Sequence, residues 1–292
     1  MLAGRAQPID GGLATQLEAR GHDLSDALWS ARVLIEQPEE IQAVHSAYVA
    51  AGARVLISAS YQVSRDGFVA QGLRADAADS ALRASVQLAR AAALGSGALV
   101  AASVGPYGAI LHDGSEYRGR YGVTHDHLVD FHAERLEVLV DADPDLLAVE
   151  TIPDVDEVSA LVEALAAFPA IPAWICFSCR DEETTCAGQP VEEALAVAAE
   201  SPTVLAVGVN CTAPEHVGRL LSRLSAATAL ALVAYPNSGR SWDPVTGWSG
   251  EGRQARDDLV RSWAAIDGVR LIGGCCGVGP ESIARISATL SA

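Results

Sequence analysis

Lysine is absent from all 292 residues, and the 20 basic side chains are all arginine. Schiff-base chemistry requires a lysine amine, so lysine-dependent aldolase and ordinary pyridoxal-phosphate mechanisms are excluded. A standard phosphate-binding P-loop also needs a lysine and is excluded with them. Positive charge as a whole is scarce, with 37 acidic residues against those 20 and a net charge of −17. Such a surface repels nucleic acid and anionic membranes and suits a small cationic substrate better. No run approaches the ~20 apolar residues needed to span a bilayer. The opening MLAGRAQPIDGG also lacks the apolar stretch of a secretory signal. The expectation is a cytoplasmic protein with neither nucleic acid nor membrane as partner. Six cysteines are too few for a disulfide scaffold. In a reducing compartment their clustering favours metal binding or catalysis.

Half the residues are hydrophobic, ample for a large core. Eight apolar, β-branched runs read as strands: 8–12, 54–62, 98–106, 146–153, 172–179, 204–211, 231–238 and 270–276. Between them lie stretches with apolar spacing near 3.6, such as EEIQAVHSAYVAAG (39–52) and EVSALVEALAAF (157–168). Several open on proline or an acidic residue, a normal helix start. Eight strands alternating with helices, with no linker between them, predict an α/β fold: a (β/α)8 TIM barrel forming one domain over 1–292. A doubly wound open sheet is the alternative, disfavoured because no Gly-x-Gly-x-x-Gly follows the first strand. The segment from 107 to about 123, containing YGAILHDGSEYRGRYG, is a long loop of the kind that carries function.

In such barrels the active site lies at the C-terminal ends of the strands. Those ends carry Asp10, Ser60, Ser103, Glu150, Ser178, Asn210 with Cys211, Asn237, and Cys275 with Cys276. Cys211 ends the sixth strand and the Cys275–Cys276 pair ends the eighth, about 10 Å away at ~4.8 Å per strand. Adjacent side chains of a regular strand point apart. Gly273, Gly274 and Gly277 let the backbone leave strand geometry, so both thiols can turn to one ion. Three thiolates with one open position are the donor set of a catalytic Zn2+ site. The alternative is a set of buried, inert cysteines. Cys176 and Cys179, three apart in one strand, face opposite ways, and nothing assigns Cys186 a role. None of the seven histidines stands at a strand end, and only His112, in the long loop, is a candidate. Asp10 precedes Gly11-Gly12, where backbone can approach a ligand closely. Glu150 ends the apolar run LLAV, where a carboxylate needs a cation or hydrogen-bond donors. A bound ammonium would satisfy either, and so would backbone N–H groups.

Taken together, DGGLATQLEARGHDLSDALWSA (10–31), VHSAYVAAGA (44–53), SASYQ (58–62), SVGPYGAILHDGSEYRG (103–119), ETIP (150–153), GVNC (208–211), YPNSG (235–239) and GGCCG (273–277) resemble the homocysteine S-methyltransferases, in particular the S-methylmethionine-dependent branch. The likeness covers nearly the whole chain, and GVNC and GGCC together are its most specific part. It implies zinc held by Cys211, Cys275 and Cys276, homocysteine as acceptor, a sulfonium donor (S-methylmethionine, with S-adenosylmethionine possible) and methionine as product. It also implies the substrate amino group near Asp10 and Glu150, with Gly11, Asn210 and Ser60 as further substrate-binding candidates. Gly277 stands where that branch often carries arginine and the betaine branch glycine. Tyr107 or Trp242 could cage a quaternary ammonium, so a betaine- or other onium-dependent methyltransferase is the second reading. From a different class comes a non-catalytic zinc or redox-sensing thiol protein, and a phosphate-binding barrel using the glycines after the eighth strand is a further reading, disfavoured by the lack of lysine and the acidic neighbours.

Overall fold

The computed structural model describes residues 4–24, 30–239 and 256–292, with the backbone of 241–243 and 247–249. Each expected strand is present and shorter than its apolar run. β1 (Gln7–Pro8), β2 (Val55–Ile57), β3 (Leu99–Val104), β4 (Leu146–Ile152), β5 (Ala173–Phe177), β6 (Val204–Asn210) and β7 (Ala231–Tyr235) make up seven of the eight. β8 (Ser241–Asp243) and β9 (Gly247–Ser249) pair as a separate antiparallel ribbon, and β10 (Val269–Ile272) is the eighth barrel strand. The barrel strands run parallel in the order β1-β10-β7-β6-β5-β4-β3-β2. The ring is closed between its ends by Arg54 N–H to Pro8 O at 2.8 Å and Asp10 N–H to Val55 O at 3.1 Å. This is a (β/α)8 barrel.

Helices cover the outside. α1 (Leu13–Ala19), α2 (Ser30–Glu36) and α3 (Pro38–Ala50) lie between β1 and β2, and α4 (Arg65–Ala70) and α5 (Ala75–Ala93) between β2 and β3. α6 (His125–Asp141), α7 (Val155–Leu165), α8 (Val191–Ala198) and α9 (Pro214–Ala227) follow β3, β4, β5 and β6. α10 (Asp257–Ala264) precedes β10 and α11 (Pro280–Ser291) follows it. Their starts follow helix-capping chemistry. Proline opens α3, α9 and α11, where its missing N–H costs nothing. The side chains of Ser64, Thr124 and Asp154 accept N–H groups from the first turns of α4, α6 and α7.

The core has two layers. Inside the barrel, Ile9, Val55, Ala101, Ala148, Trp174, Cys176, Tyr235 and Leu271 pack together. Outside it, the apolar helix faces pack on the opposite strand faces. Burial on both sides explains why the strands read as continuous apolar runs rather than alternating ones. All seven residues of β4, LLAVETI, are buried, Glu150 among them. Cys176 falls in the inner layer and Cys179 in the outer, as their spacing requires. Burying each large apolar side chain contributes ~1.5–3 kcal/mol, so the polar residues at the strand ends stand on a rigid support.

Candidate metal centre

The three sulfurs foreseen at the rim meet. Cys211, Cys275 and Cys276 place their Sγ atoms within 4.8 Å of one another. Cys275 and Cys276 both lie beyond the end of β10, outside the regular strand. Four contacts fix this turn. Gly274 N–H donates to Asp10 O at 3.0 Å and Cys275 N–H to Pro236 O at 2.8 Å. Ser238 N–H donates to Cys276 O at 2.8 Å, and Gly277 N–H to Thr15 Oγ1 at 2.8 Å. The glycines permit close passage. A Cβ on Gly273 would lie 2.4 Å from Ile9 Cγ1, and one on Gly274 would lie 2.1 Å from Val278 Cγ1. Gly11 and Gly12 serve the same purpose from the other side: Cβ atoms there would meet Val278 O at 2.4 Å and Cys275 O at 2.7 Å. The backbone that approaches Gly11-Gly12 is thus the thiol-bearing loop itself.

Cys211 follows β6 directly in the left-handed region, with φ of 44°. Asn237 Nδ2 donates to Cys211 O at 3.3 Å, and Cys211 N–H donates to Tyr235 O at 3.2 Å. A second non-glycine residue in this region, Thr151 (φ 62°), follows Glu150 at the end of β4. Asn210 braces it. Its Oδ1 accepts Thr151 N–H at 2.7 Å and its Nδ2 donates to Thr151 Oγ1 at 2.8 Å. The amide of Asn210 is therefore engaged in holding the strand ends in place.

In this structure Cys211 and Cys275 are joined as a disulfide, and Cys276 is a free thiol. Cys276 Sγ lies 3.7 Å from Cys211 Sγ and 3.9 Å from Cys275 Sγ. Tetrahedral bonds of ~2.3 Å from one zinc ion set neighbouring sulfurs about 3.8 Å apart, so the pocket has the right size once the pair is reduced. Burial and the nearby charges of Glu18 and Glu150 push the Cys276 thiol up to about 12. A bound cation reverses that balance and favours the thiolate.

Two carboxylates lie beside the sulfurs. Asp10 is 3 % exposed. Its Oδ2 accepts Ile57 N–H at 2.7 Å, while its Oδ1 has no partner among the described residues. Burial, and secondarily the charge of Glu150, raise its pKa well above the usual value, against the hydrogen bond from Ile57. Glu150 accepts Ser103 Oγ–H at 2.5 Å. Burial pushes it up to about 7. In the inner core, Trp174 Nε1 donates to Tyr235 Oη at 3.1 Å. Ser60 is fully buried, and its Oγ donates to Ser103 O at 2.8 Å, one residue shell behind Glu150.

The long third loop closes over this rim through two 3-10 turns, Tyr107–Ile110 and Ser115–Tyr117. Tyr117 Oη reaches 3.8 Å from Cys211 Sγ. The anchor of the loop is Glu157 on α7, fully buried, which accepts Tyr107 N–H at 2.6 Å and Tyr121 Oη–H at 2.7 Å and pairs with His132 Nε2 at 3.0 Å. Arg135, also buried, donates to Gly105 O and Tyr61 O at 2.8 Å each. His112 sits at the exposed part of the loop with φ of 53° and is not part of the thiol cluster. The Tyr107 ring packs against Tyr121, His127 and Phe131, and the side chain of Trp242 lies outside the described residues. Glu116, Tyr117 and Glu157 were not singled out from the sequence. The long loop pointed to the region, but nothing in its spelling ranks Glu116 above Asp113.

A parallel barrel that gathers three cysteine sulfurs and two buried carboxylates at the C-terminal rim defines the class of thiol-centred barrel enzymes, with a cluster suited to a metal ion. The family model for homocysteine S-methyltransferase matches residues 9–290. Homocysteine S-methyltransferase of Escherichia coli (strain K12) is 45 % identical, over 96 % of this chain and 94 % of that protein. Crystal structures of the homocysteine methyltransferase MmuM from Escherichia coli superpose with a TM-score of 0.88 in both the oxidized and the metallated form, at 44 % identity. The oxidized form covers 97 % of this chain and 95 % of that one, and the metallated form 98 % and 96 %. The chain belongs to the homocysteine S-methyltransferase family and is a methyltransferase.

Proposed function

We propose that the protein is a zinc-dependent enzyme that transfers a methyl group from a sulfonium donor, S-methylmethionine in preference to S-adenosylmethionine, to homocysteine to form methionine. The observation that carries this reading is the convergence of Cys211, Cys275 and Cys276 beside the buried carboxylates of Asp10 and Glu150. Those three cysteines would hold the zinc, which when bound favours the thiolate form of the homocysteine sulfur. The chain's own residues supply position. Glu150, and Asp10 through its unpartnered Oδ1, hold the homocysteine ammonium, which compensates the cost of burying their charge. The third loop covers the rim and excludes water. Displacement from a sulfonium releases a neutral thioether, so no general acid is needed, consistent with a cluster that contains no histidine. Most of the remaining work is alignment of the attacking sulfur, the methyl carbon and the leaving sulfur. Among the described residues no helix is long and apolar enough to cross a membrane. A reducing cytoplasm, which keeps Cys211 and Cys275 as thiols, suits the reading.

Methionine formation and zinc content are measured together on reduced protein with S-methylmethionine, S-adenosylmethionine and betaine at equal concentration. About one zinc per chain and fastest turnover with S-methylmethionine are expected. Serine at 211, 275 or 276 should lose metal and turnover together, whereas Cys179→Ser, packed in the outer layer, should keep both. Full zinc occupancy in Cys276→Ser would remove the ligand set, and faster turnover from betaine would replace the donor.

A further inference from the structure

One half-buried acid at the rim has no use in the scheme above. Glu116, in the Ser115–Tyr117 turn of the third loop, points its Oε2 into the protein, where it finds no hydrogen-bond partner among the described residues. Arg118, two residues on, is hydrogen-bonded to Asp113 O at 2.9 Å and Asp113 Oδ2 at 3.2 Å rather than to Glu116. The turn that carries Glu116 lies over the rim beside the thiol cluster. Its backbone is fixed there. Ser178 Oγ lies 3.4 Å from Glu116 O, and Gly108 packs so tightly that a Cβ on it would lie 2.5 Å from Glu116 N. The next residue, Tyr117, contacts Cys211 Sγ. A desolvated carboxylate oxygen without a partner is costly, and an incoming cation removes that cost.

We infer that Glu116 is the residue that recognises the α-ammonium of the methyl donor. This rests on the proposed transfer from a sulfonium that carries an amino-acid head. Such a donor has two positive groups, and the chemistry separates them. The charge on sulfur vanishes as the methyl leaves, so a carboxylate held against it would stabilise the reactant more than the transition state. The ammonium keeps its charge throughout, and binding it leaves the chemical step unhindered. Asp10, just beyond the first strand, and Glu150, on the fourth, serve the acceptor; Glu116, on the loop after the third, serves the donor. The protein would thereby distinguish sulfoniums with an amino-acid head from those without one.

The test compares S-methylmethionine with its desamino analogue, dimethylsulfoniobutanoate. Dissociation constants are measured by calorimetry on the reduced, zinc-loaded wild type and on Glu116→Gln, beside the KM for homocysteine. The wild type should prefer S-methylmethionine by at least about tenfold, as for a charge-assisted hydrogen bond. Glu116→Gln should abolish that preference by weakening S-methylmethionine alone, with analogue affinity and homocysteine KM unchanged. A preference retained in Glu116→Gln overturns the assignment, as does a parallel loss for the analogue or for homocysteine. Wild-type protein that binds S-methylmethionine with the expected preference yet forms no methionine from it would overturn the proposed reaction and leave Glu116 as the ammonium site.

Discussion

Glu150 retains its proton further up the pH scale than a free glutamate because burial withdraws its water, and the site is built around that fact. Its folded value is about 7 against the usual 4.5. Between those two values the folded protein binds this proton more tightly than the unfolded chain. The stability it contributes is therefore complete below 4.5 and is lost as pH rises through about 7. Ligand binding runs the other way, since an ammonium partner needs the ionised carboxylate. Homocysteine affinity should strengthen as pH rises through about 7, and Glu150→Gln should lose that component and bind homocysteine at least about tenfold more weakly above it. Calorimetric titration of both proteins across the window decides this; an unchanged pH profile in folded, zinc-loaded Glu150→Gln would remove the residue from the substrate site. Glu150 and Cys211 were legible in the sequence as polar ends of apolar runs. The left-handed backbone at Thr151 and Cys211 was not, because neither residue is a glycine and such conformations cost ~1–3 kcal/mol each. Only the folded contact between Asn210 and Thr151 shows what holds one of them in place.

Among the elements, the third loop depends on a helix that reads as ordinary. Glu157 stands with Asp156 in the first turn of α7, where acidic residues simply complement the helix dipole. Its carboxylate in fact binds Tyr107 N–H, Tyr121 Oη and His132 Nε2, a partnership between segments 25 to 50 residues apart that no local pattern encodes. Glu157→Ala leaves these groups without an acceptor in a buried site. It should cost at least about 3 kcal/mol, counting ~1–3 kcal/mol for each stranded group. Urea midpoints measure that loss, and donor affinity should fall with it because the loop carries Glu116 and Tyr117. A cost below about 1 kcal/mol would show that the loop is held by other contacts. Strand positions, by contrast, were legible to within a few residues, since burial on both faces writes a barrel strand as an uninterrupted apolar run.

For the whole molecule, the three sulfurs tie β6 to β10 across the intervening β7, so metal binding belongs to folding as well as to chemistry. A ligand that binds only the folded state raises stability by mass action, ~2.7 kcal/mol at a hundredfold excess over Kd. Zinc added to the reduced protein should raise Tm by about 5 °C or more. The oxidised protein, whose Cys211–Cys275 bond occupies two of the three donors, should show no such rise. An equal shift in oxidised protein or in Cys276→Ser would place the stabilising ion elsewhere. The close packing of Gly11 and Gly12 against Cys275 and Val278 also has a bearing on biosynthesis. Chains emerge N-terminus first, and domains tend to fold as they appear. Yet β1 pairs with β10, and two of the three thiols follow β10, 64 and 65 residues after Cys211. A nascent chain on the ribosome must therefore keep one seam of its barrel open, and its ion cannot be captured until the last strand has been translated.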